Sequence, residues 1–457
     1  LFSRRQLSVA LTGAVAAAAL APRAFAAPLP NLSSPDVGSA LKAVTYKATP
    51  DAGGTGNGSR KLQGMIEAAA RDNAAVFMPP GTYNLSNLTL PDNTRLVGVA
   101  GATRIVYGGG GQLMTANGAK RIQLSELVID GADRALEDNA GLLQFTGVGK
   151  VLIDNCEIVG SSKNGIRLDR SGGRIERSSI SGAACSGIFA TDSADLEITG
   201  NRVDNCGNGG ILIFRWQKGE DGTVISGNRV SRIAAKSGGT GQNGNGVNIY
   251  RADNVMITGN HISDCALTAI RTNAASDVQI SDNQCLRCGE TAIFCEFEFE
   301  GALVSGNLID SAANGIAIAN FDKGGRLASV TGNLIRNLSL TAPYPQNGGF
   351  GIGISAEADT LIASNVIENA PLWGLKLGWG TFLRNVIATG NIVRRASVGC
   401  AVSIVGGAGA CVITNNLFES VPKGAIVGFR WDATGSEDLV GGSKAYPNLT
   451  IESNRLV

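Results

Sequence analysis

The apolar positions of this chain alternate in short runs that stop at Gly, Asn, Ser or Asp, and one such run keeps returning. In residues 255–271, VMITGNHISDCALTAIR, Val255 and Ile257 share the inner face of a short strand, Gly259-Asn260 makes a corner, Ile262 points inward again, and Ala269-Ile270 begins a second strand. The wording recurs as LEITGNRV from Leu196, TVISGNRV from Thr223, LVSGNLI from Leu303, SVTGNLI from Ser329, VIATGNIV from Val386 and TIESNRLV from Thr450. Aligned on the corner, Ser178, Asn201, Asn228, Asn260, Asn283, Asn307, Asn333, Asn365, Asn391, Asn416 and Asn454 form one column, with Cys156 and Leu127 in register as a degenerate start. The spacing runs from 23 to 38 residues, so the shortest unit is one supersecondary turn and the longer ones carry inserted loops.

The second half of each unit reads Gly/Ala-Ile-x-Ile, as in NGIRL at Asn164, GGILI at Gly209, NGIAI at Asn314 and FGIGI at Phe350. Period-two runs of β-branched residues between corners are strands, and the L-x-x-L-x-L frame and helical half of a leucine-rich repeat are missing. A unit offers about five inward aliphatics worth roughly 2 kcal/mol each, against roughly 1 to 2 kcal/mol of backbone entropy for every ordered residue. One turn therefore cannot stand alone. Stacked at roughly 4.8 Å, the turns pair their backbone groups above and below and merge their inward side chains into one core. Asn is expected at the corner because it tolerates left-handed backbone and can bond amide to amide along the axis. The fold class expected is all-β, a parallel β-helix of about 12 or more coils.

A helix is expected from Ser59 to about Asp72, with Leu62, Met65, Ile66 and Ala69 on one face, closing the open end of the first coil. The repeat wording, with MPPGTYNL from Met78 and TRLVGV from Thr94, resembles the right-handed parallel β-helix proteins of the pectin-lyase-like superfamily from residue 51 to the end. Together with its leader the chain is similar to a family of twin-arginine-translocated repeat proteins. The acidic residues usual before the helix in that superfamily are replaced by Gly58-Ser59-Arg60-Lys61. The resemblance implies handling of a carbohydrate polymer outside the cytoplasm.

Residues 1–26 carry Ser3-Arg4-Arg5-Gln6-Leu7, an apolar run too short to span a bilayer, and Ala24-Phe25-Ala26. They read as a twin-arginine signal peptide with a cleavage site, which makes the export machinery a partner and the cleaved protein periplasmic or secreted, without a membrane. Residues 27–50 read as a linker, 51–126 as a cap with irregular first coils, and 127–457 as regular coils. With a formal charge of +1 and no basic block among aromatics, nucleic acid is not an expected partner.

Insertions at residues 231–246 and 338–349 precede the second strand, and others at 215–222, 296–301 and 430–448 follow it, so a groove along that strand row is expected. Counting outward positions gives a row Arg167, Phe189, Leu212, Asn248, Arg271, Phe294, Ala317, Gly353, Lys376, Ser403, Val427, and two residues on a row Asp169, Thr191, Phe214, Tyr250, Asn273, Glu296, Ala319, Ser355. Polar residues on adjacent coils cluster at Asn248, Tyr250, Arg251, Arg271, Asn273 and Glu296. Either they are solvated side chains on a sheet face, or they form a site. A polysaccharide lyase or epimerase needs a base at the sugar C5 proton and a cation at the uronate carboxylate. Arg271, Tyr250 and Glu296 are the candidate catalytic residues, with Asn248, Asn273 and Arg251 as substrate-binding candidates. A hydrolase needs paired carboxylates, and Glu296 has none in its row.

Trp216 and Trp431 occur in matched Phe-Arg-Trp phrases and either stack on sugar rings or pin loops. Residues 294–300 alternate apolar and acidic and form either a calcium-binding edge or a solvated one; no other cofactor or metal is expected, since His261 stands alone. Cys206, Cys265, Cys285, Cys288 and Cys295 fall at inward positions and read as buried thiols, although Cys265 and Cys288 lie on adjacent coils. The function expected is binding or processing of a glycan, with uronate lyase or epimerase chemistry as the enzymatic version and a structural or glycan-binding envelope protein as the alternative.

Overall fold

The computed structural model describes residues 43–45, 55–239, 241–319, 325–345 and 349–457. The expected signal peptide and nearly all of the expected linker lie outside the described residues. Within the linker range, however, Ala43–Thr45 is a strand that pairs parallel with Ala75–Phe77 and opens the first sheet.

The chain folds as a parallel β-solenoid of about 14 turns with one short helix near its N-terminus. One sheet has sixteen strands, each from a successive coil, and a second has twenty-six, because the corner strand and the second strand of each coil join the same ladder system. The unit around Asn260 shows the pattern: Met256–Thr258 lies in the first sheet, His261–Cys265 and Ile270–Asn273 in the second. Val255, Ile257, Ile262, Ala269 and Ile270 are all buried, as their alternation requires. The helix, Thr55–Arg71, starts four residues earlier than its cap signal suggested; Leu62, Ile66 and Ala69 are buried, with Met65 partly so. The Ser59 hydroxyl instead accepts a hydrogen bond from the Ser86 backbone N–H. Coils also begin before Leu127, since Thr94–Val97 is already in register with Arg121–Ser125.

The corner asparagines from Asn201 to Asn416 are buried, and with the half-buried Asn454 they form a continuous ladder. Asn260 donates both its backbone N–H and its Nδ2–H to Oδ1 of Asn283, each at 3.0 Å, and a further Nδ2–H to the Ile225 carbonyl at 2.9 Å. The same double donation runs from Asn201 through Asn416 to Asn454. Left-handed backbone is not the reason for Asn: Gly259, one residue earlier, carries it at φ +64. The corner thus separates two tasks, a residue that bends and a residue that bonds.

The outward row keeps its expected residues, Lys376 and Val427 included, except at two rungs, each of which is off by two residues. Ala317 pairs with Ser355, not Gly353, and Lys376 pairs with Ala401, not Ser403. FGIGI offers two equivalent registers, and the choice is steric: a Cβ on Gly315, Gly353 or Gly374 would lie 2.3, 2.4 or 2.6 Å from the carbonyl oxygen of the next glycine in the column. Only the register that stacks these glycines is free of that clash. All nine cysteines are free thiols, eight of them buried.

Candidate functional site

The outer face of the second-strand row is not solvated where the polar cluster lies. Asn248, Arg271 and Glu296 are buried although they point away from the coil interior, because inserted segments roof them. Gly241 and Gln242 belong to one such roof. Gly241 sits directly on Arg271, where a Cβ would fall 2.1 Å from Nη1, and the Asn245 amide holds the loop by donating to the Gly241 carbonyl at 2.7 Å. The other wall comes from a bulge. In Gly209–Glu220 the ladder to Asn245–Asp253 pairs Phe214 with Tyr250 and then Gly219 with Ala252, so residues 215–218 are pushed out of the sheet.

Between them lies a cavity of about 460 Å³ lined by Phe189, Thr191, Phe214, Arg215, Trp216, Gly241, Gln242, Asn248, Tyr250, Arg271 and Asn273. Its wall is a run of edge-to-face rings, Phe189 to Phe214 at 5.2 Å and Phe214 to Tyr250 at 5.6 Å. Trp216 stands at the mouth, 69% exposed. Arg271 closes the inner end. Its Nε and Nη2 donate to Oε2 of Glu296 at 2.9 and 2.5 Å, and the Asn273 amide donates to the same oxygen at 2.7 Å. This is a buried, hydrogen-bonded ion pair.

A second carboxylate, which strand counting passes over, lies beside that pair. Glu290 is buried; its Oε2 accepts from the Thr268 hydroxyl at 2.8 Å and its Oε1 from the Tyr344 hydroxyl of the 338–349 insertion. Burial raises the Glu290 carboxyl above the usual range, partly offset by these two bonds and by Arg271. Burial and the neighbouring carboxylate push the Tyr344 phenol up as well. Among the described residues, no group of three or more His, Cys, Asp or Glu is placed to hold a metal ion. In residues 294–300 Glu298 and Glu300 are exposed, the latter paired with Arg326, whereas Glu296 is buried against Arg271 and Phe299 is buried.

The right-handed β-helix region family model matches residues 103–230 and 216–335, together just over half of the chain. The chain belongs to this family. No curated protein matches it. Among solved structures, the β-helix is similar to the pre-mature gene product 12 of bacteriophage phi29, 16% identical over 89% of this chain and 58% of that one, with a TM-score of 0.53. The A-module of a mannuronan C-5 epimerase from Azotobacter vinelandii is 18% identical over 66% of this chain and 98% of that one, TM-score 0.49. An alpha-1,3-glucanase catalytic unit from Streptomyces thermodiastaticus is 14% identical over 90% and 68%, TM-score 0.46. The likeness is one of fold.

Within this β-helix the expected site residues divide. Asn248, Tyr250, Arg271, Asn273 and Trp216 line one cavity. Glu296 sits behind it, reaching it only through Arg271 and Asn273. Arg251 is a buttress: its guanidinium lies 4.9 Å from the Tyr250 ring centroid and donates to the Trp216 carbonyl at 2.9 Å. Trp431 is elsewhere, eight rungs along the same row, roughly 38 Å at about 4.8 Å per rung. There it packs on Gly380 and edge-to-face on Trp379 at 5.7 Å, while Phe429 meets Trp373 at 4.8 Å. Lys376 fills the space between, 4.3 Å from the Trp379 centroid, so that about 10 Å³ is left.

Proposed function

We propose that the chain binds a carbohydrate polymer and seats part of it in the cavity between Phe214, Trp216 and Tyr250. The observation that carries this reading is the combination of a ring-lined wall with convergent polar groups, Asn248, Gln242, Asn273 and Arg271, at one end. Sugar rings present apolar faces to aromatic rings and hydroxyls to amides, and a concave site of this size and lining matches both. The segments that build it, the 215–218 bulge and the loop residues Gly241 and Gln242, are additions the solenoid does not need for its own stacking. Titration of the purified protein with neutral and uronate oligosaccharides tests it by calorimetry. Saturable binding is expected, weakened roughly five- to ten-fold by Phe214→Ala or Trp216→Ala. Heat-silent titrations with every glycan, together with unchanged tryptophan emission, would refute it.

A second reading, uronate lyase or epimerase chemistry, is favoured by Tyr250 and Arg271 lining the same cavity. The Tyr250 phenol would exchange the C5 proton and Arg271 would face the carboxylate. Accumulation of unsaturated or epimerised product in the same titrations, lost in Tyr250→Phe, distinguishes it from binding alone. We also propose export through the twin-arginine pathway to the periplasm or beyond, on the strength of Arg4-Arg5 and the apolar run that follows; a cytoplasmic location on cell fractionation, unchanged by Arg4→Lys with Arg5→Lys, would exclude it.

A further inference from the structure

Two cations line the cavity, and they are held very differently. Arg271 gives two hydrogen bonds to Glu296, so its charge is matched within the protein. Arg215 is not matched in that way. Its Nη1 donates to the Ser193 carbonyl at 3.0 Å, its Nε has no hydrogen-bond partner, and its nearest carboxylate oxygen, Asp221 Oδ2, stands 3.7 Å away. That separation is beyond hydrogen-bond reach. Asp221 is fully buried, with Oδ1 taken by the Thr223 hydroxyl and Oδ2 bonded to nothing. A guanidinium with an idle N–H and a carboxylate oxygen with no donor are both costly in a protein interior. Here the carboxylate oxygen lies 3.7 Å from Nη1, the nitrogen already bonded to Ser193, and the gap is not closed. Arg215 heads the bulge that opens the cavity wall and is itself one of the residues lining the cavity.

We propose that Arg215 is the specificity-determining residue of the cavity, taking the carboxylate of an acidic sugar, with Asp221 as the counter-charge that keeps it in place while the cavity is empty. The proposal rests on the glycan reading above and moves the carboxylate-recognition role from Arg271 to Arg215. A guanidinium that turns from an unbonded carboxylate to a bonded one gains charge-assisted hydrogen bonds and breaks none with Asp221. Arg271 would have to break its hydrogen bonds to Glu296 to do the same, whereas Arg215 gives up at most one bond to a backbone carbonyl and an unbonded 3.7 Å approach to Asp221. The rings select for sugar, and Arg215 selects which sugar.

The test compares uronate, sulfated and neutral hexasaccharides against the purified chain and four variants, with affinity read by calorimetry and folding by circular dichroism. Arg215→Gln is expected to weaken uronate binding at least about ten-fold and to leave neutral binding unchanged, and Arg215→Lys to recover part of the loss. Asp221→Asn, which removes the competing charge, is expected to tighten uronate binding several-fold, an effect that misfolding cannot produce. Loss in Arg215→Gln that is equal for sulfated and uronate ligands assigns the site to anions of either kind; loss confined to the uronate assigns it to the planar carboxylate. An unchanged uronate-to-neutral ratio in Arg215→Gln, or weaker uronate binding in Asp221→Asn, overturns the proposal. Failure of Phe214→Ala to weaken any hexasaccharide would instead remove the cavity reading on which it stands.

Discussion

The two Phe-Arg-Trp phrases occupy equivalent positions on one strand row and end in opposite states. At residues 214–216 the bulge throws Trp216 outward and leaves a cavity; at 429–431 a tight turn into the antiparallel strand Ala433–Asp438 folds Trp431 back onto Gly380 and leaves almost none. The cations under the rings differ in the same sense. Arg271 and Lys376 lie in one outward row, but Arg271 is locked to Glu296 by hydrogen bonds while Lys376 is packed against the Trp373 and Trp379 rings, and burial lowers its pKa. The same three letters therefore border an open cavity where the segment after them bulges out of the sheet, and a filled one where the segment after them turns back on the strand.

The widest predicted separation between the two regions comes from their cations. Arg271→Met is expected to cost about 3–5 kcal/mol in denaturant unfolding, because it strands Glu296 in a buried site. Lys376→Met is expected to cost less than about 1 kcal/mol, since no bonded carboxylate is left behind. Comparable losses would erase the distinction. Next, Phe429→Ala, which empties a buried ring contact with Trp373, is expected to lose about 3 kcal/mol, and the half-buried Phe214→Ala only about 1 kcal/mol, while only the latter lowers glycan affinity. Gly380→Ala attacks the filled cavity itself. Its φ of +57 and a Cβ only 2.2 Å from the Trp431 ring predict a cost of about 1–3 kcal/mol and a red shift in tryptophan emission as Trp431 is expelled.

The smallest effect is a pH dependence confined to the open region. Glu290 has a raised pKa in the fold, so the folded state holds its proton more tightly than the unfolded chain does. Its contribution is then most favourable at or below the ordinary glutamate range and declines as pH rises through the raised value. Glu290→Gln keeps acceptor and shape without the charge. It is expected to flatten this slope and to leave stability at neutral pH equal or higher, as followed by thermal unfolding across a pH series.

Much of this architecture could be read from the letters alone, for a physical reason: in a solenoid, vertical neighbours are periodic in sequence. The asparagine column, the inward aliphatics and the grouping of Asn248, Tyr250, Arg271, Asn273 and Glu296 all follow from counting. Counting slipped at FGIGI, where the repeat within the repeat hid the correct glycine. It also assigned left-handed backbone to Asn260, although the TGN wording already offered Gly259. The rest of the site follows no period. Tyr344 reaches Glu290 across 54 residues through an insertion, and Gly241 reaches Arg271 through another. The one available hint was Glu290 itself, an acid standing just before a second strand, where Ala313 is its counterpart one coil on. Burial of the cluster was invisible for the same reason, since the roofs are loops whose paths no alternation pattern encodes.

The asparagine ladder has a consequence for how long such a molecule can be. Each amide serves the coil before it and is served by the coil after it, all in one direction, so any interior coil presents the same sockets on both sides. As far as the ladder is concerned, a coil with its own corner Asn can be duplicated or excised without leaving a corner amide unpaired, and the remaining coils close ranks. Length is then an adjustable ruler, and the spacing between the open cavity at Phe214 and the filled one at Phe429 can be retuned in single rungs while each keeps its own shape.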